Sequence, residues 1–461
     1  MSRTPRSDAS RRELLASAWE QVSAGRLREI TVGLVDLPSP TGDEAPLAAH
    51  IAGALDSAGL DGHVMALDDR QANAWGRLRG DGTGPDLMLY APIDTMTAGA
   101  ADEDVPQIGR VLRPDMRVPA IADGDYVTGL GASNPKGHAA CVLAAAEAIA
   151  HACRTTQPGV PLAGDLIPAF GAGGMPTNAR PGVGNPRLNT GQGVGASFLL
   201  EQGVWTDYAV IAKPGWAVAW EEVGLAWFTV TVGGTHTYVG SRHRLPYRNA
   251  VVLAGEVAAR LDRWFPEYTK AHTDGLVAPQ GIVASINGGW SRTASFTPDS
   301  CSFTVDLRLS PRTTPIAAKR ALTAALDTIA ADLGGADISV EQVLAIPGAT
   351  TSPDSWICRR AIAAWEEFEG RPHEPVLETS GATDGTILRS RGIPTVRIGM
   401  PKVTQTPTRD PVDFAMGMNT VDVREQVKLT RYLIQVAVDT ITRPRTETGP
   451  EAEPITQGGN T

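Results

Sequence analysis

The sequence predicts an α/β protein in which helices flank a mainly parallel sheet and a smaller α+β domain interrupts the chain. The first observation is that helical and extended patterns alternate along most of the sequence, as they do when helices cover both faces of a sheet. The second is that residues 224–345 follow the order strand-helix-strand-strand-helix-strand of a ferredoxin-like domain. The third is that the alternation resumes afterwards, so the insertion divides one α/β domain.

The part before the insertion contains four helical and five extended patterns. We expect helices at residues 11–36, 43–58, 136–150 and 196–202, and extended segments at 73–78, 86–92, 123–128, 165–170 and 208–213. Within the insertion we expect strands at 225–235, 281–289, 301–310 and 338–345 and helices at 249–264 and 315–333. After it we expect a helix at 354–369, a turn at 380–384, a strand at 395–398 and a closing helix at 421–441.

These elements define the predicted domain boundaries. The α/β domain comprises residues 10–223 and 346–442, and the inserted domain comprises residues 224–345. Residues 1–9 and 443–461 are polar, and the tail is also rich in Pro and Gly, so we expect both ends to be disordered.

Composition excludes several functional classes. The formal charge of −10 argues against a general nucleic-acid surface. The most apolar run, residues 139–150, is too short to span a bilayer, so no membrane association is expected. The N-terminal residues are basic but have no apolar core, so we expect no secretory signal. The four cysteines lack CxxC or zinc-ribbon spacing and are interpreted as reduced thiols of a cytoplasmic protein.

The stretch GLGASNPKGH, residues 129–138, is the motif around which the site is interpreted. It follows an extended segment and opens a helix, which places it at the carboxyl end of a strand, where α/β sheets bind ligands. It resembles the G-R-G-A-x-D-x-K-G-G motif of the ArgE/DapE, aminoacylase and glutamate carboxypeptidase family of two-zinc amidohydrolases. In that family the Asp bridges both metals, whereas this sequence has Asn134.

The resemblance covers residues 27–441 and includes the inserted domain, which in the family serves as a lid and commonly forms the dimer interface. It therefore implies a homodimer that contacts its partner through this domain. The other metal-binding positions differ from the family as well. The G-H-x-D motif is represented by Ala91-Pro92-Ile93-Asp94, so that proline replaces the ligating histidine while Asp94, which orients that histidine in the family, remains.

Three further family positions lack a suitable donor. No acidic residue lies between Asp165 and Glu201, where the family has a glutamate pair that supplies the general base and a ligand. The acid of the I-x-x-[DE]-P run is Lys213, and the late histidine falls near Met416. Because zinc sites need His, Asp, Glu or Cys ligands, we expect neither a zinc centre nor another cofactor.

Other family motifs are retained. Resemblance implies that His236 lies in the lid segment and polarises the substrate carbonyl, and that Arg308 binds the substrate carboxylate, for which a bidentate guanidinium is suited. It further implies a substrate pocket that includes Asn249, Ser295, Gly381 and Thr383. The alternatives remain open that His236 is only a hydrogen-bonded loop residue and that Arg308 only pairs with Asp306.

The position of the lost metals is expected to gather Asp94, Ser133, Asn134, Lys136, His138 and Lys213. The Lys213 ammonium could replace the charge of zinc and stabilise an oxyanion. It could instead act as a base or a Schiff-base nucleophile, or form a salt bridge with Asp94 in an inactive cavity. Ser133 and His138 give weaker signals, and Lys136 matches a structural lysine of the family.

The glycine-dense segment of residues 171–195 replaces the family's glutamate pair with a longer loop. Loops of this length beside a site are often lids or binding elements, and the alternative is a surface insertion. It contains no Walker-type lysine, so no phosphate loop is predicted.

Three functional hypotheses follow. The first is a metal-independent enzyme that acts on a C–N bond of a small carboxylate-bearing amide, imide, N-acyl or N-carbamoyl compound, with Lys213, Asp94, Asn134 and His236 as catalytic residues. The second is a non-catalytic homologue that binds a small molecule or regulates a partner. The third is a metallohydrolase with displaced ligands.

Overall fold

The computed structural model describes residues 8–156, 161–177, 191–404 and 417–448. The chain divides into two compact units. The first comprises Met1–Trp220, Thr351–Pro375 and Thr383–Thr461, and the second comprises Glu221–Thr350 and Val376–Ala382. The assignment of the first unit to catalysis and the second to dimerisation stays a prediction.

The helices of the described residues are α1 Asp8–Glu20, α2 Ala24–Val35, α3 Ala45–Ser57, α4 Ala101–Ile108, α5 Lys136–Thr155, α6 Val194–Glu201, α7 Ala250–His272, α8 Pro315–Asp332, α9 Trp356–Glu369, α10 Gly385–Ser390, α11 Val423–Ile441 and α12 Arg445–Thr448. The strands are β1 His63–Ala66, β2 Ala72–Trp75, β3 Leu87–Pro92, β4 Ile121–Asp123, β5 Tyr126–Thr128, β6 Leu166–Gly171, β7 Tyr208–Ala212, β8 Glu221–Glu222, β9 Gly224–Gly233, β10 Thr237–Tyr238, β11 Gly281–Gly288, β12 Phe296–Thr297, β13 Ser300–Leu309, β14 Ile338–Ile346, β15 Ala349–Thr350, β16 Thr395–Ile398 and β17 Thr420–Asp422.

The first unit is built on a six-stranded sheet of order β1-β2-β6-β3-β7-β16. Four strands, β6, β3, β7 and β16, are parallel to one another, whereas β1 and β2 add an antiparallel edge next to β6. The carboxyl ends of the four parallel strands therefore meet at one edge of the sheet, which is the edge where ligands bind in such folds.

Side-chain alternation along β3 explains why helices cover both faces of this sheet. Leu87 and Leu89 point into a core that includes α5 and α11, while Met88 and Tyr90 point into a second core that includes α6 and α10. Successive strand residues face opposite sides, so an entirely apolar strand needs cover on both. The predicted α/β fold with a mainly parallel sheet is confirmed.

The second unit is an antiparallel sheet of order β11-β13-β9-β14 with α7 and α8 packed on it. Its chain order, β9-α7-β11-β13-α8-β14, is the predicted ferredoxin-like arrangement. The buried residues of β9 and β13 alternate with partly exposed ones, as expected when helices cover one face only.

Several element predictions need correction. The single helical pattern of residues 11–36 forms two helices, because Ser23 caps α2 by accepting a hydrogen bond from the Arg26 amide. Helix α7 continues through Pro266 to His272, beyond the predicted end at residue 264, and buries Phe265 and Tyr268 in the core of the second unit.

The prediction of disordered ends is wrong for the residues next to the folded chain. Asp8 already belongs to α1, and residues 445–448 form α12. The Thr448 carbonyl accepts a hydrogen bond from the Tyr208 hydroxyl, and Arg445 forms a salt bridge of 2.5 Å with Asp207. Residues 1–7 and 449–461 lie outside the described residues. In the part of the chain that the structure describes, no helix has the length and apolarity needed to cross a membrane.

Candidate functional site

The ends of β7 and β16 and the start of α5 lie in close contact at the carboxyl edge of the first unit's sheet. The Lys213 amide, just after β7, donates to the Ile398 carbonyl at the end of β16 at 3.0 Å. The next residue, Gly399, has no room for a side chain, because a Cβ there would overlap the Lys213 carbonyl and lie 2.5 Å from Nε2 of His138 on α5. This close approach places Lys213 and His138 side by side.

Lys213 is buried, with 6% of the residue exposed. Its charge acts on both neighbours, lowering the pKa of His138 and opposing the rise in the pKa of Asp94. The side chain of Lys213 therefore lies in the protein interior, just beyond the end of β7. Electrostatic interactions are stronger there than at the surface.

Asp94 is fully buried and accepts three hydrogen bonds. Oδ2 accepts from the Thr41 hydroxyl at 2.6 Å and from the Met175 amide at 2.9 Å, and Oδ1 accepts from the Gly174 amide at 2.8 Å. Burial raises the pKa of Asp94, while these donors and the charge of Lys213 counteract the rise. Asp94 thus binds the turn that follows β6, in addition to lying near Lys213.

His138 and Ser133 form a structural unit at the start of α5. His138 Nδ1 donates to the Ser133 carbonyl at 2.7 Å, and Nε2 accepts from the Met400 amide at 3.1 Å. Burial lowers the pKa of His138 to about 3. With both nitrogens bound to backbone atoms and the ring neutral, His138 positions Ser133 and Met400 and is not available as a base.

Lys136, which the family resemblance identifies as structural, has that role here. It is buried, and its ammonium donates to the Leu37 carbonyl at 2.6 Å. Burial lowers the pKa of Lys136 to about 7.

Asn134 has a buried side-chain oxygen, Oδ1, without a hydrogen-bond partner. Its backbone amide donates to the Met418 carbonyl at 3.0 Å, so the residue is held in place from the backbone. An unpaired buried acceptor costs about 1–3 kcal/mol, which makes Oδ1 a candidate acceptor for a donor that a ligand brings.

Glu44 is a buried acid that the sequence interpretation missed. Its Oε1 accepts from the Gly42 amide at 3.0 Å, the Gly173 amide at 2.9 Å and Nε2 of Gln71 at 3.3 Å. Burial, with a contribution from the nearby Asp94, raises the pKa of Glu44 to about 8. In the sequence it looks like an ordinary acid at the start of a helix, and only the contact with residue 173 distinguishes it.

The space near Pro92 is filled by protein atoms. Tyr90 donates its buried hydroxyl to Oδ2 of Asp384 at 2.5 Å, and that hydroxyl leaves no room for a side chain at Gly171. A Cβ on Gly174 would lie 2.5 Å from Cβ of Pro92 and 2.9 Å from Oδ2 of Asp384. Thr383, a residue of the predicted pocket, directly precedes Asp384. Its hydroxyl accepts a hydrogen bond from the Gly385 amide at 3.1 Å.

The remaining predicted site residues belong to the second unit. His236 is exposed, stacks on Phe296 at 5.4 Å and donates from Nδ1 to the Thr297 carbonyl at 2.8 Å. The exposed Ser295 accepts from the Val239 amide through its carbonyl at 2.8 Å.

Of the other three predicted site residues, Asn249 and Arg308 have local structural roles. Asn249 caps α7, because Oδ1 accepts from the amides of residues 251 and 252. Arg308 pairs with Asp306 at 2.9 Å, the alternative that the sequence left open, and Gly381 is exposed. The structure thus places Lys213 near Asp94 and His138, with the Ser133 carbonyl on the His138 ring, whereas a site shared with Asn134 or with the second-unit residues stays a prediction.

The residues at the family's metal positions do not fit a two-zinc centre. Pro92 has no donor atom, Asn134 is a neutral amide, Gly173 and Gly174 occupy the turn where the glutamate pair would stand, and Lys213 is a cation. Within residues 8–156, 161–177, 191–404 and 417–448, no group of three or more His, Cys, Asp or Glu side chains could hold a metal ion. Met416 and residues 178–190 of the glycine-dense loop lie outside these ranges.

No protein-family model matches the sequence. Solved structures nevertheless match the fold over most of its length. Aminopeptidase PepT from Bacillus cereus is 16% identical, with 91% of this chain and 99% of that chain covered and a TM-score of 0.60. Human carnosine dipeptidase 1 is 13% identical, with 95% and 100% covered and a TM-score of 0.64. An amidase of the hydantoinase/carbamoylase family from Burkholderia multivorans is 15% identical, with 92% and 99% covered and a TM-score of 0.58.

The chain therefore has the fold of these peptidases and amidohydrolases, with a central sheet and an inserted lid-type domain. The similar proteins include a structure described as a dinuclear metal-binding peptidase of the M20 family, from Bacillus subtilis, at 16% identity and a TM-score of 0.57. At these identities the likeness establishes the scaffold, and the activity has to be argued from the site.

Proposed function

We propose that this protein is a metal-independent enzyme on an amidohydrolase scaffold, which acts on a C–N bond of a small carboxylate-bearing compound. Amides, imides, N-acyl and N-carbamoyl compounds are the substrate classes. The observation that carries the proposal is the buried Lys213 at the carboxyl edge of the sheet, beside Asp94 and where the resemblance expects an acidic zinc ligand.

Lys213 supplies positive charge where a metal would otherwise polarise a carbonyl. An ammonium in a buried site stabilises the oxyanion that forms when a C–N bond is attacked or made. The unpaired Oδ1 of Asn134 is complementary to the N–H of an amide or imide substrate, because it is a buried acceptor without a donor. Asp94 lies near the Lys213 charge and holds the turn of residues 174–175.

The family resemblance also supports roles for residues of the second unit. It implies that His236 polarises the substrate carbonyl and that Arg308 binds the carboxylate, and it further assigns Asn249, Ser295, Gly381 and, from the first unit, Thr383 to substrate binding. Arg308 would exchange its contact with Asp306 for the substrate, and the Asp306 Oδ1 is already a buried acceptor without a partner.

We further propose that the protein is a cytoplasmic homodimer formed through the inserted domain. The four cysteines are free thiols and three of them are buried, in keeping with a reducing compartment. Strand β11 is an edge strand with Ile282 and Ile286 each 53% exposed, the kind of edge that pairs with a second chain.

A non-catalytic binding protein is the second candidate. The observation that favours it is that Asp94, His138 and Arg308 all have protein partners, as they would if their roles were structural. A metallohydrolase with displaced ligands is the third, and zinc content distinguishes it from the others.

Chelator-treated protein tests the proposal. Thermal-shift screening with N-acyl amino acids, N-carbamoyl amino acids and cyclic amides should identify ligands, and turnover of these compounds is then measured. We expect turnover without metal, and a loss of about 100-fold or more in kcat for Lys213→Met, as for removal of an oxyanion-stabilising group. The matched control is Lys270→Met, on the exposed surface of α7, which should retain full activity.

Ligands that bind without turnover, and with an affinity that Lys213→Met does not change, would favour the non-catalytic candidate. Turnover that disappears with the chelator and returns with zinc would favour the metallohydrolase. Either result contradicts the proposed function.

A further inference from the structure

Four consecutive backbone amides after β6 all donate to side chains from distant parts of the chain. The Ala172 amide donates to Oδ1 of Asn73 at 2.9 Å, and the Gly173 amide to Oε1 of Glu44 at 2.9 Å. The Gly174 and Met175 amides donate to the two oxygens of Asp94 at 2.8 and 2.9 Å. The turn that lacks the family's two glutamates thus presents a row of donors, and one buried amide and two buried acids from outside it accept from that row.

The two acids of this row are neighbours in a buried environment. Glu44 and Asp94 are both 0% exposed, and Asp94 is the ionisable group whose charge acts on Glu44. The charge of Lys213 acts on Asp94. Two adjacent carboxylates in such a place repel each other, and a single ammonium balances only one of them.

The hydrogen bonds distinguish the two acids. Asp94 uses both oxygens as acceptors, for the Thr41 hydroxyl and two amides. Glu44 concentrates its three donors on Oε1, while Oε2 is buried without a hydrogen-bond partner. An ionised Glu44 would keep a charged oxygen buried without a donor, whereas a protonated Glu44 would leave only a neutral hydroxyl group unpaired at Oε2, which costs less.

We propose that Glu44 is a positioning residue that functions as a neutral acid, holding the Gly173 amide of this row while leaving Asp94 as the single carboxylate opposite Lys213. Its effect on turnover rests on the proposed function, whereas its protonation and its hold on the turn do not. The shifted pKa of Glu44 agrees with this arrangement.

Comparison of Glu44→Gln with Glu44→Ala tests the proposal in the full-length protein. Glutamine is neutral, has the same shape and keeps a carbonyl oxygen for the Gly173 amide, so it should reproduce the protonated acid. By hydrogen exchange with mass spectrometry, we expect the segment 171–177 to exchange within about threefold of wild type in Glu44→Gln and about tenfold faster or more in Glu44→Ala, the loss of one buried hydrogen bond. Glu147→Gln, which removes a half-buried acid paired with Arg26, is the control for substituting an acid.

The pH dependence of stability provides a readout that a purely structural role would not change. An acid whose folded-state pKa lies above its unfolded value costs stability increasingly as pH rises between the two values. Wild-type Tm should therefore fall relative to that of Glu44→Gln from about pH 5 to pH 8, and the difference should level off above the folded-state pKa. Glu147→Gln, measured at the same pH values, is the control for replacing an acid elsewhere in the first unit.

Two results would overturn the proposal. One is that hydrogen exchange of segment 171–177 in Glu44→Gln is about tenfold faster than in wild type, as expected for a lost hydrogen bond. The other is that the difference in Tm between Glu44→Gln and wild type is constant from pH 5 to pH 8. These results distinguish an ionised Glu44 from a neutral one even if Glu44→Ala fails to fold. Neither measurement involves turnover, so the failure of the proposed enzyme activity would leave them unaffected.

Discussion

His138 lies in the predicted site but has both ring nitrogens bound to backbone atoms. Nδ1 donates to the Ser133 carbonyl and Nε2 accepts from the Met400 amide, so the ring joins the start of α5 to the end of β16. Because the ring is buried and neutral, its contribution to stability depends on pH.

Replacement of His138 by phenylalanine should leave the Ser133 carbonyl and the Met400 amide without their side-chain partner. We expect a loss of about 2–4 kcal/mol in the free energy of unfolding at pH 7, from two polar groups that lose their partner. The exposed His151→Phe on the same helix is the control and should change stability little. Chemical denaturation measures both.

The same variant tests the ionisation of His138. In the unfolded chain the imidazole is protonated below about pH 6.5, whereas in the folded protein burial lowers the pKa of His138 to about 3. Its stabilisation is therefore present above pH 6.5 and is lost as pH falls toward 3. The difference between wild type and His138→Phe should shrink between pH 7 and pH 5, and a constant difference would contradict a neutral ring.

A single site residue could be predicted where its sequence neighbours form a recognisable motif, and could not where its role depends on contacts with distant parts of the chain. Pro92, Asn134 and Lys213 could be identified because each replaces a motif residue that has a fixed sequence neighbourhood. Glu44 could not, since its contact with Gly173 joins positions 129 residues apart. The unpaired Oδ1 of Asn134 was also inaccessible to sequence reasoning, because it depends on what surrounds the side chain.

At the scale of elements, the ends of β7, β16 and α5 meet so closely that the chain has glycine at the crossing. Gly399 follows β16 and lies against the Lys213 carbonyl and Nε2 of His138. The placement of Lys213 therefore depends on the backbone of a neighbouring strand.

A methyl group at this crossing should force the strand ends apart. Gly399→Ala is expected to destabilise the protein by about 1–3 kcal/mol, as overpacking does. Gly255→Ala is the control: it lies inside α7 with open space around it, and should stabilise by about 0.5–1 kcal/mol. Equal effects of the two substitutions on Tm would show that the crossing is not tightly packed.

Periodicity predicted the existence of most elements, whereas their limits depended on tertiary contacts. The predicted end of α7 near Pro266 was wrong because Tyr268, beyond the proline, is buried and donates to the Arg308 carbonyl at 2.9 Å. The extended segment predicted at residues 123–128 is part of the antiparallel pair β4–β5, which belongs to a separate three-stranded sheet, so the strand before residue 129 is not one of the parallel strands. The pair β8–β15 is too short for a period-two pattern to reveal it.

At the scale of the whole molecule, the proposed homodimer depends on the exposed edge of the second unit's sheet. Strand β11 is the edge that carries Ile282 and Ile286, and β14 is the opposite edge, where Val343 is 49% exposed. Ile286 and Val343 are therefore exposed apolar residues on opposite edges of the same sheet, so one can be substituted as the control for the other.

A charge on the pairing edge should prevent dimerisation. We expect Ile286→Asp to be monomeric by light scattering at concentrations where the wild type is a dimer, because a charge would be buried in the interface without a partner. Val343→Asp on the opposite edge should remain dimeric. A monomeric wild type, or loss of the dimer only in Val343→Asp, would contradict pairing through β11.

The central claim is that charge supplied by the protein has taken the place of metal in this site, and zinc content tests it most directly. Full-length protein is incubated with excess zinc, dialysed and subjected to elemental analysis. Lys213→Asp, which puts an acid back at the position of the lysine, is measured in parallel. We predict far less than one zinc ion per chain in the wild type, since the positions that the family resemblance assigns to metal ligands hold a proline, an amide, a glycine turn and a lysine. About two zinc ions per chain, retained through dialysis, would contradict the account.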